Sequence, residues 1–252
     1  MSTLEAIFLG IIQGFTEFLP VSSSGHLALF QHFLGLQNLK DYVLFDVVCH
    51  MGTLCSIFCV FHRQIREIDR KMLTLIVLAT LPLFPFVLIL KEIKHMFDQL
   101  QFLGYFFLLT ALLLWLGSRF GRNDKEVDWK DAVGVGFFQV LALLPGVSRS
   151  GSTVSGARML GWNIDKAITF SFLLAIPAIL GATTLEVLHV ATHHSPLPNI
   201  AVATYVAGFS TAFCTGIIAL FLLFRLANKG KFHYFMWYCM ALGMLTLYTF
   251  NK

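Results

Sequence analysis

Two polar segments interrupt apolar stretches of this 252-residue chain, one near its start and one just past its middle. Residues 13–26 read QGFTEFLPVSSSGH, and residues 139–152 read QVLALLPGVSRSGS. They align without a gap at an offset of 126 residues, half the chain length. The alignment pairs Gln13 with Gln139, Val21-Ser22 with Val147-Ser148, and Ser24-Gly25 with Ser150-Gly151. This repetition predicts two related halves, each with one broken polar segment.

The rest of the chain has the composition of a membrane protein. Hydrophobic residues make up 57% of it and charged residues 13%, with a mean hydropathy of +0.74. A soluble domain has roughly 25% charged residues, so this chain cannot cover a water-facing surface and is predicted to cross the membrane several times. The net charge of +4 fits basic loops near anionic lipid. No basic tract suggests nucleic-acid binding.

Six segments are apolar and long enough to cross a bilayer, which takes about 20 residues. They are 43–61, 72–90, 101–118, 167–190, 200–224 and 232–250. The polar segments are flanked by shorter runs instead, 5–19 and 26–36 around Pro20, and 131–144 and 153–161 around Pro145-Gly146. Two half-length helices joined by a Gly/Pro/Ser turn predict a re-entrant hairpin. Interrupted segments at matching positions in two halves point to the binding site of an inverted-repeat fold.

We therefore expect an all-α polytopic membrane protein that forms a single membrane domain over residues 1–252. Its inverted-topology repeats, about 1–118 and 131–250, each contain one re-entrant helical hairpin and three transmembrane helices. A cytoplasmic loop, 119–130, links them. This topology puts twelve Lys and Arg residues on one side, and Lys40, Lys91, Lys94 and Lys252 on the other. The bias places the twelve in the cytoplasm, both termini outside, and the two hairpin tips near mid-membrane.

The first polar segment carries a carboxylate that is costly in lipid. Gln13 and Glu17 are four residues apart and share a helix face, and an intramembrane Glu usually faces a bundle interior or a water-filled cavity. Glu17 is predicted to bind a helix end, a metal ion, or a nearby His. Serines 22–24 can cap the helix that starts near His26. Ser, His and Glu within fourteen residues can also supply a nucleophile, a base and its orienter.

The second polar segment has the groups that an anion needs. Gly146 and Gly151 let backbone N–H groups turn inward, and a helix start after them brings positive dipole to the tip. Arg149 offers a planar fork suited to phosphate oxygens. Ser148, Ser150 and Thr153 add hydroxyl donors. Asp46 and His50, which share a face of the first span, are weaker candidates that are more simply read as solvated or capped.

Both segments resemble the signature motifs of the bacterial undecaprenyl-diphosphate phosphatases, the bacitracin-resistance (BacA-type) family. Gln13 and Glu17 match the first motif, Glu or Gln, three residues, then Glu, in its Gln form. The second motif, Pro-Gly-x-Ser-Arg-Ser-x-x-Thr, is matched by Pro145, Gly146, Ser148, Arg149, Ser150 and Thr153. The family's essential histidine and neighbouring serine fall on His26 and Ser23. The resemblance continues through FSFLLAIPAILGA, residues 170–182, and so covers essentially the whole chain.

This resemblance implies a multi-pass enzyme of the bacterial plasma (inner) membrane with a site open to the outer, periplasmic side. It would hydrolyse undecaprenyl diphosphate to undecaprenyl phosphate and phosphate, recycling the lipid carrier for peptidoglycan synthesis and giving bacitracin resistance. The family is similar in using Mg²⁺ or Ca²⁺ and in forming homodimers. The Gln at position 13 removes one possible carboxylate ligand for that cation.

The expected site then divides its residues into three roles. The catalytic set is His26, Glu17, Ser23 and Arg149, with His26 either the nucleophile or the base that activates Ser23 or water. Glu17 and Gln13 would hold the divalent cation. Substrate would contact Gln13, Ser22, Gly146, Ser148, Ser150 and Thr153.

Two other functions share parts of these motifs. Type-2 phosphatidic-acid phosphatases need a Ser-Arg pair, five intervening residues and then a His, and the position so reached from Ser148-Arg149 is Ser155. A lipid-phosphate transporter or flippase would have the same repeats and the same anion-binding tip. The set of Glu17, Ser23 and His26 favours the enzyme, because translocation needs no nucleophile.

Overall fold

The computed structural model describes residues 1–36, 42–87, 99–120, 126–193 and 200–250, and this part of the chain is helical without strands. Short 3₁₀ turns occur at Leu81–Leu83 and Leu100–Phe102. The α-helices, in chain order, are α1 (Thr3–Phe18), α2 (Ser23–Phe33), α3 (Val43–Val60), α4 (His62–Arg66), α5 (Arg70–Thr80), α6 (Phe84–Val87), α7 (Leu103–Arg119), α8 (Trp129–Leu141), α9 (Arg149–Met159), α10 (Ile164–His193), α11 (Val202–Asn228) and α12 (Tyr234–Phe250).

Four of the six predicted spans are long, apolar helical segments in the described residues: Val43–Val60, Leu100–Arg119, Ile164–Leu188 and Val202–Asn228. The span predicted at 232–250 corresponds to α12, an apolar helix of 17 residues. The span predicted at 72–90 is interrupted at Pro82, which lacks an N–H and lies in a 3₁₀ turn between α5 and α6. Residues 88–90 lie outside the described residues. The chain is therefore an all-α, multi-pass membrane protein.

The two broken segments form helical hairpins, α1–α2 and α8–α9. Their second helices are eleven residues each and begin at an offset of 126, Ser23 and Arg149. Ser22 caps α2 by accepting a hydrogen bond from the Gly25 N–H, and Ser148 caps α9 by accepting one from the Gly151 N–H. Because these caps start the helices early, Ser23 and Ser24 lie in the first turn of α2 rather than in the connecting turn.

Glycines bring the first hairpin into close contact with α11. A Cβ on Gly10 would lie 2.1 Å from Thr211 Oγ1, and one on Gly14 would lie 1.9 Å from Thr215 Oγ1. Residue numbers increase in the same order along both helices, from the Gly10–Thr211 contact to the Gly14–Thr215 contact. The α1 and α11 helices therefore run in the same direction. Ser56 of α3 also donates to the Phe213 carbonyl of α11 at 2.8 Å. Small residues at such contacts let helices in a membrane approach closely.

The second hairpin packs against helices of the first half. Gly136 of α8 faces the Ala79 carbonyl at the end of α5, and Gly117 of α7 faces Ser155 of α9. Since α1 packs on α11 and α9 packs on α7, each hairpin is held by the opposite half of the chain. The proposed repeat boundaries stay a prediction. Among the predicted basic and terminal positions, Lys40, Lys91, Lys94, Arg122, Lys125 and Lys252 lie outside the described residues.

Candidate functional site

The tips of the two hairpins touch each other. A Cβ on Gly25 would lie 3.0 Å from Gly146 Cα, and the Ser150 hydroxyl donates to the Leu19 carbonyl at 3.5 Å. Gly146 has a φ of +91°, a backbone conformation that L side chains rarely adopt. A glycine at each of positions 25 and 146 therefore allows the polar ends of both hairpins to meet.

An ion pair joins the tips. Arg149 Nη2, from the first residue of α9, donates to Glu17 Oε1, from the last turn of α1, at 2.6 Å. The Glu17 and Arg149 side chains are 7% and 15% exposed. Burying either charge alone would be expensive. The pair therefore holds the carboxylate of the first tip against the guanidinium of the second.

The other carboxylate oxygen of Glu17 lies close to three further side chains. Oε2 accepts hydrogen bonds from the Ser23 hydroxyl at 2.7 Å and from Gln13 Nε2 at 3.2 Å. His50 Nε2 of α3 lies 3.6 Å from the same oxygen. Both carboxylate oxygens are thus engaged, and Gln13 shares the Glu17 face as their spacing predicted.

His26 is buried, and both of its ring nitrogens have partners. Nδ1 lies 2.7 Å from the Ser22 carbonyl oxygen, and Nε2 lies 2.7 Å from the Tyr238 hydroxyl of α12. The edge of the Phe107 ring packs against the imidazole, with centroids 5.4 Å apart. Ser23 donates to Glu17 rather than to His26. In this conformation the base next to Ser23 is therefore Glu17.

The second tip is held by hydroxyl groups from neighbouring helices. The Ser148 N–H donates to Thr110 Oγ1 of α7 at 3.0 Å, and the hydroxyls of Ser148 and Ser150 are 3.3 Å apart. The Thr153 hydroxyl is 2.6 Å from that of Ser171 in α10. Arg149 Nη1 also donates to the Ser171 carbonyl at 3.4 Å. Thr153 is fully buried, which favours a role in holding α9 against α10.

The first tip offers oxygen atoms that suit a divalent cation. Gln13 is fully buried and its Oε1 has no hydrogen-bond partner, although the same side chain donates to Glu17. The described residues contain no group of three or more His, Cys, Asp or Glu that could hold a metal ion. Mg²⁺ commonly takes one or two carboxylates and completes its shell with water and substrate phosphates. Gln13 and Glu17 fit such a partial ligand set.

Three contributors to the site have no local signal in the sequence that would identify them. Tyr238, Thr110 and Ser171 reach the tips from α12, α7 and α10. His50, considered a weak candidate, is placed next to Glu17. Its neighbour Asp46 accepts a hydrogen bond from Gln31 at 2.8 Å instead.

Comparison with known proteins points to one family. The family model described as "Bacitracin resistance protein BacA" matches residues 6–245. A protein named undecaprenyl-diphosphatase from Protochlamydia amoebophila (strain UWE25) is 49% identical, covering 100% of both chains. Proteins of the same name from Alkaliphilus metalliredigens (strain QYMF) and Carboxydothermus hydrogenoformans (strain ATCC BAA-161 / DSM 6008 / Z-2901) are each 39% identical. These matches cover 98% of this chain and 98% and 97% of the relatives.

Proposed function

The chain belongs to the bacitracin resistance protein BacA family, and from this premise we infer that it is an undecaprenyl-diphosphatase. It hydrolyses undecaprenyl diphosphate to undecaprenyl phosphate and inorganic phosphate, which recycles the lipid carrier for cell-wall synthesis. The observation that carries this assignment within the molecule is the 2.6 Å contact between Glu17 and Arg149. The contact brings a carboxylate, a hydroxyl and a guanidinium suited to phosphate oxygens together.

The terminal phosphate of the substrate binds between the two hairpin tips. Arg149 uses two of its nitrogens for Glu17 and Ser171, and a guanidinium has five N–H donors, so further donors remain for phosphate oxygens. The N-termini of α2 and α9 add positive dipole at the same place. The residues next to these N–H groups include Ser22, Gly146, Ser148 and Ser150.

A divalent cation would be held by the side chains of Glu17 and Gln13. When bound, such an ion neutralises charge on phosphate oxygens and so stabilises the charge of the transition state. The unpartnered Gln13 oxygen supports this assignment.

Ser23 is the group best placed to attack phosphorus. Its hydroxyl already donates to Glu17, which can take the proton as the Ser23 oxygen bonds to the terminal phosphorus. The bond from that phosphorus to the bridging oxygen breaks, and undecaprenyl phosphate leaves. His26 lies three residues further along α2, on a neighbouring part of the helix surface. Its Nε2 takes a proton from the water that then releases phosphate from Ser23.

This order of steps is tested by quenching the reaction in a single turnover. An acid-stable phosphoserine at position 23 is expected, and it should accumulate in His26→Ala and be absent in Ser23→Ala. An acid-labile phosphohistidine would identify His26 as the nucleophile. If no phosphoenzyme forms in either background, water attacks directly and the proposed role of Ser23 is wrong.

The function itself is tested by phosphate release in detergent. Without a sealed membrane, a transporter or flippase has no gradient or compartment to act on. Purified protein should release phosphate from undecaprenyl diphosphate, and the release should be lost with a chelator, in Arg149→Ala and in His26→Ala. An inactive wild-type protein that moves lipid across vesicle membranes would support the rival function.

We also propose a cellular location, a membrane orientation and an oligomeric state for the enzyme. We place it in the bacterial inner membrane as inverted repeats, with the site open to the periplasmic side and the basic loops in the cytoplasm. The α3 and α11 helices run in the same direction, because Gly52 lies against Phe209 and Ser56 donates to the Phe213 carbonyl. This supports inverted repeats, in which the first span of one half runs parallel to the second span of the other half. A homodimer is proposed by resemblance to the family.

A further inference from the structure

Tyr238 connects a lipid-facing helix to the buried histidine of the site. Tyr238 is 47% exposed, whereas His26 is 2% exposed. The Tyr238 hydroxyl lies 2.7 Å from His26 Nε2, and the two rings are stacked with centroids 5.7 Å apart and an interplanar angle of 9°. This contact fixes the plane of the imidazole and occupies one of its nitrogens.

The packing of α12 holds Tyr238 in this position. The Cys239 thiol is 3.7 Å from the Pro20 carbonyl at the first hairpin tip. Further along, Leu242 and Phe250 pack against a cluster that contains Ala28 and Leu29 of α2. Because α12 contacts both the tip and the body of α2, the Tyr238 hydroxyl is aimed at His26 by the helix rather than by a flexible loop.

The hydrogen bonds determine which nitrogen of His26 can react. The Ser22 carbonyl oxygen only accepts, so Nδ1 carries the hydrogen and donates. His26 lies in the first turn of α2, where the positive end of the helix dipole disfavours an imidazolium. A neutral ring with a hydrogen on Nδ1 has its lone pair on Nε2, and this lone pair accepts the Tyr238 hydroxyl.

We propose that Tyr238 is a positioning residue that donates to Nε2 of His26, whose Nδ1–H tautomer is set by the Ser22 carbonyl, and so covers Nε2 until the diphosphate binds. The identity of the ligand rests on the function proposed above. A phosphate oxygen is charged and accepts more strongly than a neutral imidazole. When the diphosphate binds, the hydroxyl turns from Nε2 to a phosphate oxygen, and the Nε2 lone pair becomes free. One hydrogen bond replaces another, and no covalent bond changes.

Tyr238→Phe tests the proposal because it keeps the ring and removes the hydroxyl. Diethyl pyrocarbonate acylates the unprotonated nitrogen of an imidazole, so the uncovered Nε2 should be modified several-fold faster in this variant, measured by mass spectrometry of the His26 peptide. The value of kcat/KM should fall about tenfold, mostly through KM, for the loss of one hydrogen bond to a charged group. Tyr105→Phe, at an exposed tyrosine of α7, is the matched control and should change neither quantity.

Equal modification rates in wild type and Tyr238→Phe would overturn the proposal, and so would faster modification with an unchanged kcat/KM. A second measurement uses the wild-type protein alone. In protein labelled with ¹⁵N-histidine, the His26 signals are those lost in His26→Gln, and their shifts should report hydrogen on Nδ1 and none on Nε2. Hydrogen on Nε2 would overturn the proposal. Because this readout needs no turnover, an Nδ1–H tautomer in a protein without phosphatase activity would reject the proposed function alone.

Discussion

Glu17 accepts hydrogen bonds from residues of both hairpin tips. One oxygen accepts from Arg149 of the second tip, and the other accepts from Ser23 and Gln13 of the first. A charged pair that is this deeply buried contributes little net stability compared with well-packed apolar residues, because desolvation offsets the attraction. Its retention at this position therefore fits a functional role better than a purely structural one.

Glu17→Gln removes the charge while keeping the length of the side chain. The variant leaves Arg149 uncompensated and gives Ser23 a weaker proton acceptor, so kcat/KM should fall by about two orders of magnitude or more. Phosphate release in detergent measures the effect. Arg149→Lys keeps the positive charge but loses the fork, and it should also lose most activity. Full activity in Glu17→Gln would exclude Glu17 from the reaction.

In the proposed cation site, Gln13 would set how tightly a divalent cation binds beside Glu17. Gln13→Glu adds a second carboxylate, so the cation concentration needed for half-maximal activity should fall, whereas Gln13→Ala should raise it. Cation titration after treatment with a chelator measures both shifts. The same cation requirement in all three proteins would place the ion elsewhere or show that none is used.

At the level of elements, the two hairpins have similarly capped second helices but present different side chains. Both second helices begin at a capping serine three residues before a glycine, Ser22 with Gly25 and Ser148 with Gly151. The first hairpin then presents a carboxylate, a hydroxyl and an imidazole, and the second presents a guanidinium. Opposite charges on two similar tips hold the two hairpins together.

Gly25→Ala tests whether close contact of the tips matters. The new Cβ would lie 2.6 Å from Phe107 Cζ and 3.0 Å from Gly146 Cα, so the tips must separate. Overpacking of this kind costs about 1–3 kcal/mol, and activity should fall sharply while the protein still elutes as a folded species. Gly181→Ala in α10, where a Cβ would meet nothing within 4 Å, is the matched control and should retain activity.

At the scale of the whole molecule, each hairpin is enclosed by helices from the other half of the chain. The α1 helix packs on α11, and α9 packs on α7. Each tip also takes a partner from the other half, since His26 contacts Tyr238 and the Ser148 N–H donates to Thr110. Folding of the two halves is therefore coupled, and the site forms only when both are in place.

The orientation of the whole molecule in the membrane can be measured by labelling single cysteines. In a variant whose five cysteines are replaced by alanine, Glu67→Cys should react with a membrane-impermeant thiol reagent only after permeabilisation, because its loop is basic and is proposed to lie in the cytoplasm. Ala201→Cys, at the start of α11, should react in intact spheroplasts. Both residues are exposed in the structure. The reverse pattern would invert the topology and move the site to the cytoplasmic side.

The sequence by itself determined the class of fold, the position of the two hairpins and the family, because these depend on local quantities. Apolar length predicts spans, proline and glycine break them, and a repeat at 126 residues needs no structure to be recognised. The shared face of Gln13 and Glu17 likewise follows from helical spacing alone.

Only the tertiary structure decided which group touches which. The sequence placed Ser23 beside His26, and folding paired Ser23 with Glu17 and His26 with Tyr238. Tyr238 is 212 residues from its partner, so no local pattern links the two. The physical reason is that small residues on helices distant in sequence determine how those helices pack. The packing then determines which buried polar atoms lie close enough to form hydrogen bonds.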